Sequence, residues 1–163
     1  MVALLYNIRS LHNVGSIFRT AEAAGIKKLY LCGITLAPLD RFGDKRKELA
    51  KVALGAEDYL DWEKVGNSPS PQATISLIKK LKKDSYKIIA IEQDKRAIPY
   101  NKLSAVTHKS SVALIVGDEV RGISKSILRQ ADYILEIPMR GRKESLNVSV
   151  AFGIVAFKFS ERQ

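Results

Sequence analysis

Residues 137–157 read IPMRGRKESLNVSVAFGIVAF, and the reading of the fold turns on this stretch. Ile137 and Pro138 close a strand, a loop of Gly141 and charged residues follows, and Ser145 opens the last helix. A serine at that place can cap the free N–H groups of the first turn. Asn147 stands one step further in, where its donors and acceptor face the loop. From Val148 to Phe159 the run is apolar nearly all round, with Ser149 and Lys158 as its polar interruptions. Such a helix needs burial on every side. In a chain of 163 residues, a second copy of the chain is the expected cover for its outer side.

Upstream of this stretch, strands and helices alternate. Val2–Tyr6 is predicted as a buried strand, followed by a helix capped by Asn13 and running to Ala24, with Gly25 as its C-terminal glycine. Lys28–Cys32 is a second strand, Lys45–Leu54 a short basic helix, and Tyr59–Trp62 a short strand. The loop GNSPSP at 66–71 leads into an amphipathic helix over Gln72–Lys83. Tyr86–Ile91 is a strand followed by a polar loop through Pro99. Ser111–Val116 is an uninterrupted apolar strand ending at Gly117, Ser124–Gln130 a short helix, and Tyr133–Ile137 the last strand. Strands that are apolar throughout, rather than at every second position, are buried on both faces. The predicted class is therefore α/β, a mostly parallel sheet flanked by helices. Residues 1–163 read as a single domain without repeats or linkers. Ligands of such sheets bind beyond the carboxyl ends of strands, here the loops after Ile91, Val116 and Ile137.

Composition narrows the function. Lys and Arg outnumber Asp and Glu by 27 to 17, a net charge of +10, which favours a polyanionic partner such as nucleic acid. A merely basic cytosolic protein is the plainer alternative. No apolar run is long enough for a membrane span, and one cysteine, Cys32, suits a reducing cytoplasm. With His12 and His108 as the two histidines, an all-protein zinc site lacks ligands. No GxxxxGK[ST], GxGxxG or GxSxG pattern occurs where its chemistry would need it. What remains are polar residues near strand ends: Asn13 and Arg19, Gly117 to Glu119 with Gly122, and Ser145 with Asn147. Taken singly, Arg19 reads as a helix-surface cation, Glu119 as a loop carboxylate and Ser145 as a cap.

Taken together they form a pattern. The segments 13–21 (NVGSIFRTA), 115–123 (IVGDEVRGI) and 145–151 (SLNVSVA) resemble, in order, the three motifs of the SpoU (TrmH-type) family of RNA ribose 2′-O-methyltransferases, of the SPOUT class. Residues 51–57 (KVALGAE) also resemble a segment of many members. The resemblance implies a C-terminal deep trefoil knot, a homodimer, and S-adenosylmethionine held in the knot loops. It assigns cofactor contacts to Gly117, Ile137, Met139 and Leu146, with Ile91 or Glu92 as a looser assignment. It makes Arg19 the catalytic arginine, given by one subunit to the cofactor of the other, with Asn13, Glu119, Ser145 and Asn147 positioning it and the substrate.

An arginine stays protonated at any working pH, so the preferred role for Arg19 is to orient an RNA phosphate while phosphate or water takes the proton. RNA contacts are expected from the domain itself: Arg41, Lys45, Arg46, Lys47 and Lys51, then Arg140, Arg142 and Lys143. Lys79, Lys80, Lys82 and Lys83 read as a solvated helix end. Two departures from the commoner pattern bear on substrate identity. Asp118 stands where the second motif often has asparagine, and Lys143-Glu144 precede Ser145. The rival readings are a non-catalytic RNA-binding protein of the same knotted dimeric fold and a methyltransferase acting on a base or a protein.

Overall fold

The computed structural model describes residues 1–102 and 111–160, which leaves His108 outside the described residues. Strands β1 (Val2–Tyr6), β2 (Lys28–Cys32), β3 (Asp61–Val65), β4 (Tyr86–Ile91), β5 (Ile98–Pro99), β6 (Ser111–Val116) and β7 (Tyr133–Glu136) form one seven-stranded sheet. Their order is β3-β2-β1-β6-β4-β7-β5, and every neighbouring pair is parallel. Strand β1 lies inside the sheet between β2 and β6, with Ala3 opposite Leu29 on one side and Leu114 on the other.

Successive side chains of a strand point to opposite faces, and here both faces are covered. Ala3 and Leu5 join Leu114 and Val116 in one cluster with Val14, Ile17, Phe18, Phe152 and Val155. That cluster lies under helices α1 (Leu11–Ala23), α2 (Lys47–Ala53), α3 (Ala56–Tyr59) and α6 (Val148–Ser160). Val2, Leu4 and Tyr6 face the other way, with Ile88, Ile115, Ile78 and Ile127, under α4 (Gln72–Lys83) and α5 (Lys125–Leu128). The uninterrupted apolar strands of the sequence are the consequence.

Four sequence expectations are corrected. Helix α1 begins at Leu11 and its cap is Ser10, whose hydroxyl accepts the Asn13 N–H at 3.3 Å, so Asn13 lies inside the first turn. Helix α6 begins at Val148, and its first turn is closed by Asn147, whose Oδ1 accepts the Ser149 N–H at 2.8 Å, rather than by Ser145. Strand β3 starts at Asp61, because Tyr59 still belongs to α3. The loop through Pro99 contains the two-residue strand β5, held by pairing with Leu135 and Glu136.

One close approach fixes the helical layer beside β1. A Cβ on Gly15 would lie 2.7 Å from the Leu49 carbonyl oxygen and 3.1 Å from the Val52 Cβ. Alanine there gains about 1 kcal/mol of helix propensity, but it must push α2 away at a cost of about 1–3 kcal/mol. Gly15→Ala is expected to lower the urea midpoint at unchanged slope; an unchanged or raised midpoint would show that the helices yield freely.

Candidate active site

A cavity of about 360 Å³ opens at the carboxyl ends of β4, β6 and β7. Its volume falls in the range of about 300–1,000 Å³ typical of small-molecule sites. Three loops wall it, after Ile91, after Val116 and after Glu136. Ile91, Gly117, Ile137, Met139 and Leu146 all line it, as do Asn13, Glu119, Ser145 and Asn147. Arg19 does not: it is exposed on the outer side of α1, and no hydrogen bond or ion pair engages its side chain among the described residues.

The polar wall is a single hydrogen-bonded chain. Glu119 accepts the backbone N–H groups of Arg9 and Ser10, each at 3.1 Å, and the Asn13 side-chain amide at 2.9 Å. Asn13 Oδ1 in turn accepts the Asn147 amide at 3.0 Å, and Asn147 Oδ1 accepts from Ser149. Segments more than 100 residues apart in sequence are thereby fixed to one another. Burial alone would raise the Glu119 carboxyl, but the donors from Asn13, Arg9 and Ser10 outweigh it and hold it below the ordinary carboxylate value. An ionised carboxylate with this set of donors is a poor proton acceptor at neutral pH. Its place is structural: it ties the start of α1 to the loop after β6.

That loop is folded tightly on itself. Asp118 Oδ1 accepts the N–H groups of Val120 and Arg121 at 2.9 and 2.8 Å, and its carbonyl accepts Gly122 N–H. Gly122 has φ +64°, and a Cβ on Gly117 would stand 2.5 Å from the Gly122 carbonyl carbon. Only glycine at 117 allows the turn to close. Glu92, at the end of β4, accepts Ile123 N–H at 2.7 Å and so pins the far end of the loop. Gln93 donates to the Glu144 carbonyl and joins the loops after β4 and β7.

The charge inside the cavity is opposite to that of the chain. Among the described residues its charged lining is Glu92, Asp118, Glu119 and Glu136, with no lysine or arginine, whereas the chain carries +10. A phosphorylated nucleotide would meet carboxylates with no cation to offset them, while a cationic or neutral nucleoside-sized ligand fits. Cations lie instead on the exposed loop between Met139 and Ser145, at Arg140, Arg142 and Lys143. Lys45 is held by Asp58 at 2.6 Å, Arg41 lies 4.6 Å over the Phe42 ring, and Lys47 is exposed. Among the described residues, no cluster of His, Cys, Asp and Glu is placed to hold a metal ion.

Residues 1–157 match the model of the SpoU rRNA Methylase family. The chain belongs to that family. It is 32% identical over 162 residues to an uncharacterized tRNA/rRNA methyltransferase of Archaeoglobus fulgidus, covering 99% of this chain and 65% of that one. A tRNA (guanosine(18)-2′-O)-methyltransferase of Aquifex aeolicus is 29% identical over 163 residues, 100% of this chain and 69% of its own length. The AdoMet-bound structure of an rRNA methyltransferase from Sinorhizobium meliloti shares the fold with a TM-score of 0.81 at 27% identity, over 99% of this chain and 55% of that one. The chain thus spans 55% to 69% of the length of these proteins.

Within this SpoU-family site, Arg9, Ser10 and Gln93 contribute contacts that no sequence pattern singled out. The departure at Asp118 also has a structural partner: its Oδ2 receives the Arg9 Nε at 2.9 Å. Burial raises the Asp118 carboxyl, yet the Arg121 and Val120 N–H groups and Arg9 lower it further and leave it depressed. Asparagine would keep the turn through Oδ1 but offer Arg9 an amide in place of the second oxygen. Arg9 is 56% exposed, so the lost pair costs about 0.2–1 kcal/mol after solvent screening. Asp118→Asn is therefore expected to fold with a midpoint close to the parent; a loss of several kcal/mol in a urea titration would mean that the pair holds the loop.

Proposed function

We propose that the chain transfers the methyl group of S-adenosylmethionine to a ribose 2′-hydroxyl of tRNA or rRNA, as a cytoplasmic homodimer. The observation that carries this reading is the nucleoside-sized cavity, closed by the three joined SpoU segments and lined, among the described residues, by carboxylates without a cation. It suits a sulfonium nucleoside and disfavours phosphates. Gly117, Ile137, Met139 and Leu146, with Ile91, would hold the cofactor. When bound, it supplies an electrophilic methyl whose carbon–sulfur bond breaks as the carbon–oxygen bond forms.

The protein's own residues have to bind, align and release a proton. Asn13 and Asn147, locked to each other and to Glu119, orient the substrate side of the cavity, with Ser145 beside them. Arg19 lies outside the cavity of its own chain, which agrees with its being given to the cavity of a partner subunit. Helix α1, which carries it, packs along α6, where Val150 and Phe157 leave apolar surface 50% and 46% exposed. A partner would cover that surface. As a permanent cation, Arg19 orients the phosphate next to the target ribose, and phosphate or water takes the hydroxyl proton. We read residues 1–163 as one methyltransferase unit whose loops after β4, β6 and β7 form the trefoil knot of the family. Arg140, Arg142 and Lys143 border the cavity as phosphate contacts, with Arg41, Lys45, Arg46 and Lys47 as a second basic group.

Incubation with methyl-labelled S-adenosylmethionine and total tRNA or rRNA tests the proposal. Label in RNA supports it. Cofactor and RNA binding without label would favour the non-catalytic RNA-binding reading.

A further inference from the structure

A second cavity, of about 330 Å³, lies beyond the carboxyl ends of β2 and β3, lined by Thr35, Asp40, Arg41, Arg46, Lys64 and Asn67 among others. It takes no part in the site described above. Its polar lining is unusual in two ways. Arg46 Nε is buried and has no hydrogen-bond partner among the described residues, a state that costs free energy unless a ligand or water satisfies it. Lys64 Nζ is half-buried and donates to the Gly33 and Thr35 carbonyls, leaving part of its donor capacity open.

The mouth of this cavity is the loop between β2 and α2. Asp40 Oδ1 accepts the N–H groups of Phe42 and Asp44 at 2.8 and 3.0 Å, Asp40 and Asp44 are joined by a backbone hydrogen bond, and Leu39 bridges to Lys45. The loop is therefore pre-shaped. At its tip Phe42 is 74% exposed, with the Arg41 guanidinium 4.6 Å from the ring centroid. An arginine on a ring that solvent reaches leaves room for an aromatic layer on the open side.

We propose that this cavity and the Phe42 ring form a subsite for an unpaired nucleotide flanking the methylated one. The base stacks on Phe42, and Arg41 and Arg46 receive its phosphate. Bases stack on exposed aromatic rings whatever their sequence, and neighbouring arginines add charge and cation–π attraction. Both cavities open on the same edge of the sheet, because all strands are parallel. Strands β2 and β4 stand three places apart in the order, about 14 Å at the usual spacing, so a short single-stranded segment can reach from one cavity to the other. The subsite rests on RNA being the substrate.

The test is fluorescence anisotropy of a fluorescein-labelled single-stranded RNA octamer, with S-adenosylmethionine affinity as a control. Phe42→Ala is expected to weaken RNA binding about tenfold, while Phe42→Tyr stays within about twofold of the parent because stacking is retained. Phe42 is exposed, so both variants should melt like the parent. Phe42→Ala should leave the salt dependence unchanged, whereas Arg41→Gln should reduce its slope by about one phosphate contact. RNA affinity equal to the parent in Phe42→Ala would overturn the subsite even where methyl transfer to RNA is intact. A parent chain that neither binds nor methylates RNA would fail at the earlier step, the substrate class itself.

Discussion

Arg19→Ala is expected to abolish methyl transfer, with S-adenosylmethionine affinity within about twofold of the parent and an unchanged melting temperature. The side chain is exposed, engages no partner among the described residues and lies outside its own cavity. Its removal therefore leaves no cavity, no orphaned buried group and no broken ion pair, which are the usual sources of lost stability. A fall in activity can then be assigned to the reaction and not to folding. Removing a group that stabilises charge in the transition state typically costs a factor of about 10²–10³. Lysine keeps the charge but not the fork that grips two phosphate oxygens, so Arg19→Lys should recover a small part of the rate. Activity close to the parent in Arg19→Ala would end the assignment.

Gly117→Ala should remove cofactor binding, by a different route. The added Cβ would stand 2.5 Å from the Gly122 carbonyl carbon and 2.6 Å from Ile123 N. These are backbone atoms, so no side-chain rotation relieves the clash. The turn from 117 to 123 must open, releasing the Asp118 bonds to Val120 and Arg121 and the Glu92 bond to Ile123. Overpacking of this kind costs about 1–3 kcal/mol, and the cavity loses one of its walls. Calorimetric titration with S-adenosylmethionine should show no binding, or a dissociation constant raised at least about tenfold. An affinity equal to that of the parent would show that this loop does not hold the cofactor.

The two variants also test each other. If Arg19 acts on the cofactor of a partner subunit, a mixed dimer of Arg19→Ala and Gly117→Ala chains keeps one intact site, assembled from the sound half of each. Random mixing of the two inactive proteins would then restore about one quarter of the parent activity. An arginine acting within its own subunit predicts no recovery.

The parts of the fold legible in the sequence are those fixed by local pattern. Tyr86–Ile91 and Ser111–Val116 are strands with the predicted bounds because both of their faces are buried, which leaves an uninterrupted apolar run. Helix α4 begins at Gln72, directly after Pro71, and ends with Lys82 and Lys83 as its pattern requires. The helix starts were less legible. Ser10 and Asn13, like Ser145 and Asn147, are all good capping types a few residues apart, and only the backbone decides which one caps. Strand β5 is not legible because two residues carry no periodicity, and it exists through its pairing with β7.

For the site, motif resemblance selects residues that, Arg19 apart, the fold brings to one cavity, but their mutual bonds are not readable. Nothing local to Arg9 or Ser10 announces that their N–H groups meet a carboxylate 110 and 109 positions away. The exposed position of Arg19 on a helix likewise reads as an ordinary surface cation until a second subunit is considered. The basic residues from Arg41 to Lys47 formed one group by composition, yet Lys45 pairs with Asp58, while Arg41 and Arg46 face a cavity of their own.

The position of the methyl group on the RNA distinguishes a ribose acceptor from a base. A ribose 2′-hydroxyl is the nucleophile in alkaline cleavage of RNA, so its methylation protects the following phosphodiester bond. RNA labelled by the purified protein with methyl-labelled S-adenosylmethionine should, after complete alkaline hydrolysis, carry its label in alkali-resistant dinucleotides, and digestion to nucleosides should give a 2′-O-methylated nucleoside. Label recovered in mononucleotides with a methylated base would contradict the account.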